Sequence, residues 1–202
     1  MLLVTGFEPF GSWSSNPTAT VAAAVAEALG ARSAVLPVTL SDAPAALADA
    51  LDGVGALLCL GLHGSARAAR VERAALNVAD FSIPDNAGHR AAAETLVPGA
   101  PDGLLSPVPV RAVAEAIAGE GIPAEVSNSA GTYLCNAVYF HGLLALRGRP
   151  VLFLHLPPTP ELVRTADGVA GADGGAARVP GMPLEQQVRA AQIAASFLLE
   201  AA

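Results

Sequence analysis

Short apolar runs alternate with alanine-rich stretches of helical period through the N-terminal third of the chain, and no other feature constrains the fold as tightly. Leu2–Thr5 reads as a short strand. The loop Gly6–Ser15 that follows is punctuated by Gly, Pro and Ser and carries the aromatics Phe7, Phe10 and Trp13. Asn16 stands in N-cap position with Pro17 at the first helical residue, Val21, Val25 and Leu29 share one face, and Gly30 ends the helix. A strand around Ala34–Leu40, a helix from Ser41 to about Asp52 and a buried strand Ala56–Leu60 closing on Gly61 come next. The order βαβαβ, with no hairpin signal, predicts an α/β fold: a mostly parallel, twisted sheet with helices on both faces, in three α/β/α layers.

From Leu62 to about Gly103 the pattern loosens. Arg70–Asp80 alternates like a strand or ribbon and Ile83–Gly88 is a turn cluster, which together predict an insertion over the sheet edge. Regular units return with a helix over Val110–Gly119, a strand at Ala124–Ser127, a helix carrying Cys135, a buried apolar strand ending at His155 and a closing helix over Leu184–Leu199. Thr165–Gly181, rich in Gly, Ala, Asp and Pro, reads as a mobile loop or flap. Residues 1–202 are read as one domain, long enough to bury roughly 70% of its unfolded surface.

Composition removes several classes of function. A net charge of −7, with eleven scattered arginines as the only permanently basic side chains, argues against a nucleic-acid partner. The absence of lysine excludes a Schiff-base enzyme and a Walker A loop. No apolar run approaches the ~20 residues of a membrane span, and the start lacks a basic n-region and cleavage site, so a cytoplasmic protein without a membrane partner is expected. Cys59 and Cys135 are too few for a disulfide framework. His63, His89 and His141 have no ligand spacing with another His or Cys, which leaves a metal site unsupported.

Cys135 draws attention because small polar turn residues run into an apolar helical stretch that holds it in the first turn. Unpaired N–H groups and the positive dipole end of a helix favour a thiolate there. His155 ends a buried strand just before a proline break. In a parallel sheet the start of a helix and the end of the next strand share an edge, so the two can meet as nucleophile and base. An orienting acid would complete the set, and Glu72 lies in a strand-like stretch where a carboxylate must be paired. Each has a plainer reading: Cys135 as a small core residue, His155 as a satisfied core histidine, Glu72 as the partner of Arg73. His141 falls about 240° round the helix from Cys135 and cannot serve it.

Several blocks, taken in order, resemble the pyroglutamyl peptidase I family: Thr5–Gly11 with Asn16-Pro17, Glu72–Asn77, Asp80 with Ile83–Asn86, Ser129–Asn136, and Phe153–Pro157. They span most of the chain. The resemblance implies a cysteine exopeptidase that removes N-terminal 5-oxoproline (pyroglutamate) from peptides, on a nucleoside phosphorylase/peptidyl hydrolase-like fold, commonly as a homo-oligomer (dimer or tetramer), with no cofactor and no metal. On its pattern Cys135 is the nucleophile, His155 the base and Glu72 the third member. Phe7 and Phe10 fall on the aromatics that hold the pyroglutamyl ring, with Ile83, Tyr133 and Leu134 in the pocket wall. This chain departs from it twice. Leu62-His63 stands where many members carry a glutamine, and Ser82 where many carry an arginine.

Overall fold

The computed structural model describes residues 1–165 and 180–201. The flap expected over Thr165–Gly181 lies almost wholly outside the described residues. A six-stranded sheet runs in the order β2 (Arg32–Leu36), β1 (Leu2–Phe7), β3 (Ala56–Leu62), β8 (Val151–Leu156), β4 (Ala69–Glu72), β7 (Ala124–Ser127). The last of the described strands thus occupies the interior of the sheet. β1, β2, β3 and β8 run parallel to one another, while β4 is antiparallel to β8 and parallel to β7.

Alternation along the strands divides the core in two. Leu2, Val4, Leu58, Leu60, Val71, Leu152 and Leu154 face helices α1 (Pro17–Leu29), α3 (Val110–Gly119) and α6 (Leu184–Glu200). Leu3, Leu57, Cys59, Val151 and Phe153 face α2 (Ala43–Ala50) and α4 (Leu134–Ala145). Because side chains alternate with period two, Gly61, Glu72 and His155 must all stand on the α4 face. The caps read from the sequence form as expected: Asn16 accepts from the Thr18 N–H, and Gly30 closes α1 at φ 60°.

The segment after β3 corrects one expectation. Rather than an insertion over the sheet edge, it supplies β4 between β8 and β7, and only then leaves the sheet, as an antiparallel ribbon of β5 (Ala74–Leu76) and β6 (Gly103–Leu105). The reason is length. The linker 63–68 is far shorter than the dozen or so residues a parallel crossover needs, so the chain can only return antiparallel. Ala75, Ala79, Phe81 and Ala91 of the following segment pack on the α4 face. A short helix α5 (Pro160–Thr165) follows β8 and was not expected.

Candidate active site

The antiparallel course of β4 brings Glu72 level with Phe153, two residues before His155 on the neighbouring strand. His155 Nδ1 lies 2.8 Å from Glu72 Oε1, and both side chains are buried, at 6% and 1% exposure. A carboxylate so deep requires a partner, and the imidazole is that partner. Arg73 is not. Successive strand residues point to opposite faces, and its Nε donates to Asn128 Oδ1 at 3.0 Å instead. The Tyr139 hydroxyl, from α4, donates to the Glu72 carbonyl and ties the strand end to the helix.

Cys135 reaches the same spot by another route than a parallel arrangement of consecutive strands would give. β7, which precedes α4, runs opposite to β8, so the chain must cross back before the helix begins. Ala130 N–H donates to the Ala74 carbonyl, and Asp80 N–H to that of Thr132, along this return. α4 then starts at the C-terminal end of β3. Asn136 fixes the first turn: its Oδ1 accepts from Leu76 N–H at 2.7 Å, and its Nδ2 donates to the carbonyls of Leu76 and Val78, each at 2.9 Å.

Cys135 is half-buried at the second position of α4, behind Tyr133 as an extended N-cap that makes no side-chain cap. First-turn N–H groups are therefore left for a ligand. Burial opposes a charge on His155, but the charge of Cys135 and a hydrogen bond to it, together with the Glu72 carboxylate, outweigh that. The imidazole pKa is pushed up from 6.5 to about 9. With Nδ1 taken by Glu72, Nε2 is the nitrogen turned to the sulfur. Cys59 differs: it is wholly buried, and burial, opposed by a Thr5 hydrogen bond and reinforced by Cys135, pushes its thiol up to about 12.

Beside Cys135 and His155 opens a cavity of about 260 Å3 walled by Phe7, Phe10, Trp13, Leu62, Tyr133 and Leu134, with His63, Asp80 and Ser82 adding polar groups. Loops hold these walls by named bonds. Thr18 Oγ1 accepts from the Phe7 N–H at 3.0 Å, Asn16 Nδ2 donates to the Glu8 carbonyl, and Asn86 Nδ2 to that of Pro9. The Tyr133 hydroxyl donates to the Pro84 carbonyl, and its ring meets Phe81 edge-on at 4.6 Å. Burial, then the charges of Asp85 and Cys135, raise the Tyr133 phenol to about 12, so it stays a neutral donor. Ile83 is not among the lining residues; its Cδ1 lies 3.7 Å from where a Cβ on Gly11 would stand.

The sequence profile of the family described as "Pyroglutamyl peptidase" matches residues 1–201. The chain belongs to the pyroglutamyl peptidase family. It is 41% identical over 181 residues to a pyrrolidone-carboxylate peptidase of Streptomyces coelicolor, covering 85% of this chain and 83% of the relative. It is 35% identical to one of Pyrococcus furiosus, covering 98% of each. The pyrrolidone carboxyl peptidase structure from Thermococcus litoralis superposes with a TM-score of 0.84 at 34% identity, over 98% of this chain and 93% of that one.

Against the pyroglutamyl peptidase pattern, both departures fall in the cavity, since Leu62, His63 and Ser82 all line it. Neither Arg67 nor Arg90 lines it: Arg67 is exposed, and Arg90 donates from Nε to the Phe81 carbonyl at 3.1 Å. Among the described residues, the guanidinium of Arg70 comes near, 2.6 Å from His63 Nε2. Sequence reasoning assigned no role to Trp13, Asn136 or Arg70. Trp13 had a signal, sharing its loop with Phe7 and Phe10. Asn136 had one in its place beside Cys135 at a helix start, where Asn favours bonds to backbone over helix interior.

Proposed function

We propose that this protein is a cysteine exopeptidase that hydrolyses the amide following an N-terminal pyroglutamyl residue. The observation that carries the reading is the buried chain of contacts from Glu72 through His155 to Cys135, opening on a cavity with an apolar wall. The Cys135 thiolate attacks the pyroglutamyl carbonyl, and first-turn N–H groups of α4, including its own, hold the oxyanion. His155, as imidazolium, gives its proton to the leaving amine while the carbon–nitrogen bond breaks, which leaves an acyl-thioester. The neutral ring then takes a proton from water as that water attacks the thioester. 5-Oxoproline departs, the sulfur keeps its electron pair as thiolate, and His155 is an imidazolium again. Glu72 fixes the ring throughout.

Pyroglutamate is a neutral lactam, whereas N-terminal proline has the same ring size and a charged secondary amine. Phe7, Phe10 and Leu134 suit a flat uncharged ring, and taking an unpaired ammonium among them costs several kcal/mol. Glu8, the acid between the two phenylalanines, is exposed; among the described residues Asp80 is the carboxylate that lines the cavity. The test is kcat/KM for pyroglutamyl, prolyl and glutaminyl amides with one shared leaving group. Pyroglutamyl should be preferred by at least ~10³-fold, at about 1.4 kcal/mol per tenfold. Comparable prolyl cleavage would overturn the neutral-lactam pocket and implicate Asp80. No turnover, with pyroglutamate still raising Tm, would make the chain a binding homologue impaired by Leu62 and Ser82. On the proposed reading the enzyme works in the cytoplasm, as a homo-oligomer; no described helix is long and apolar enough to cross a membrane.

A further inference from the structure

Asn136 and Tyr139 stand three residues apart in α4 and so share one face of the helix. Both are fully buried, and both bond to a single run of backbone. The Tyr139 hydroxyl donates to the Glu72 carbonyl at 3.1 Å, while the Asn136 amide spans Leu76 and Val78 through three bonds of 2.7, 2.9 and 2.9 Å. Leu76 offers an N–H as well as a carbonyl, so the amide has one orientation, with Oδ1 toward that donor. The side chain of Glu72, at the head of the same run, holds His155. The nucleophile's helix and the base are thus both located from the stretch Glu72–Val78.

We infer that Asn136 and Tyr139 are positioning residues that hold the nucleophile turn of α4 to the Glu72–Val78 backbone, in place of an N-cap whose bond would occupy an oxyanion donor. The inference rests on the peptidase reading of this site. An N-cap side chain ordinarily secures a helix start by accepting from the N–H of the second or third helical residue. In α4 those residues are Cys135 and Asn136. A cap would therefore take the very N–H groups that the tetrahedral oxyanion needs.

The two helices that flank the cavity resolve this differently. α1, which carries no nucleophile, is capped in the ordinary way, with Asn16 Oδ1 accepting from the Thr18 N–H at 3.2 Å. In α4 the N-cap residue is Tyr133, which makes no side-chain cap bond; its hydroxyl goes to the Pro84 carbonyl. Asn136 grips the first turn from the flank through its side chain, and Tyr139 grips the next turn, so neither uses a backbone N–H of that turn. Satisfying the buried polar groups of Leu76 and Val78 would by itself make Asn136 a residue of stability. The positioning role makes it a residue of rate, and the two separate by experiment.

Asn136→Ala and Asn136→Asp are compared with wild type, with rates taken per folded molecule from near-UV circular dichroism. On a pyroglutamyl amide kcat should fall about 10²-fold, as for a reacting atom moved by an ångström, with KM and the Ki of 2-pyrrolidinone within about threefold. 2-Pyrrolidinone supplies the lactam ring without the scissile carbonyl. A pyroglutamyl aldehyde supplies the tetrahedral centre: the Cys135 thiolate adds to its carbon, the carbonyl pair moves to oxygen, and the His155 proton follows. Its affinity should fall in parallel with kcat. Tyr139→Phe, which keeps the ring and loses one hydroxyl, should lower kcat about tenfold with KM unchanged. A kcat per folded molecule within about threefold of wild type, or a loss shared equally by KM and the lactam Ki, overturns the inference. If neither Asn136 variant folds, Tyr139→Phe decides on the same terms. Amide exchange needs no substrate. The Ala137 N–H, bonded to the Tyr133 carbonyl at 3.1 Å, should exchange about tenfold faster in Asn136→Ala and in Tyr139→Phe than in wild type, and unchanged exchange overturns the tether. Absence of pyroglutamyl turnover in wild type would refute the peptidase reading and leave exchange to decide the tether.

Discussion

Gly61 stands against Cys135 so closely that a Cβ on residue 61 would lie 2.9 Å from the Cys135 sulfur and 2.7 Å from Phe153 Cζ. The glycine is required for space rather than for an unusual backbone angle. A methyl there must displace either the sulfur or a fully buried ring, and a reacting atom moved by an ångström forfeits about 10²-fold in rate. Gly61→Ala should therefore lower kcat on a pyroglutamyl amide by at least ~10-fold, with a stability loss of about 1–3 kcal/mol from overpacking. Unchanged kcat together with an unchanged urea midpoint would contradict this.

The two thiols should separate under limiting iodoacetamide. Cys135 is half-exposed at a helix start, whereas Cys59 is inaccessible and its thiol is pushed up to about 12. Peptide mapping should find Cys135 alkylated first, with activity lost in proportion. Faster labelling of Cys59, or full activity after Cys135 is labelled, would exclude Cys135 as nucleophile.

Because the His155 pKa is raised to about 9, its proton is held through neutral pH and lost above it. The proton donated to the leaving amine goes with it, so kcat/KM should fall about tenfold per unit above roughly pH 9, on a limb that belongs to the Cys135–His155 pair. Stability has the same sign. The folded pKa exceeds the unfolded value of 6.5, so the contribution is full below pH 6.5 and lost as pH rises through about 9. Urea midpoints across that window test the second half. An alkaline limb at an ordinary histidine value would refute both.

Glu72→Gln should cost less rate than Cys135→Ala, since a neutral side chain can still accept from Nδ1 whereas alanine offers no nucleophile. Removing the carboxylate also removes one of the influences that raise His155, so the alkaline limb of Glu72→Gln should move down from about 9. Single-turnover rates and pH profiles of the two folded variants decide this. Equal losses, or an unmoved limb, would mean that Glu72 does not orient the ring.

What the sequence disclosed was whatever depends on local chemistry. Asn16, Pro17 and Gly30 mark the ends of α1 because capping bonds form within a few residues. Cys135 and His155 could be singled out because a helix start and a strand end each leave a local signature. The direction of β4 was also legible in the short linker 63–68, yet apolar alternation, which is blind to direction, suggested an insertion. The contact of Arg70 with His63 had no signal of its own, because a bond between a strand residue and the loop before it depends on which face each side chain takes. The bonds from Asn136 to Leu76 and Val78 likewise join segments sixty residues apart, counted from Leu76.

The interior position of β8 sets the order in which this molecule becomes an enzyme. β3 and β4 each present one open edge to the other until β8 pairs with both. A nascent chain that has released Cys135 but not yet the strand carrying His155 therefore holds a nucleophile with no base, between two half-sheets that no strand joins. Hydrolytic competence and closure of the sheet arrive in the same event. Until then the unpaired edges are the segment's exposure to misassociation, and synthesis of the last quarter of the chain is the interval in which a chaperone would matter most.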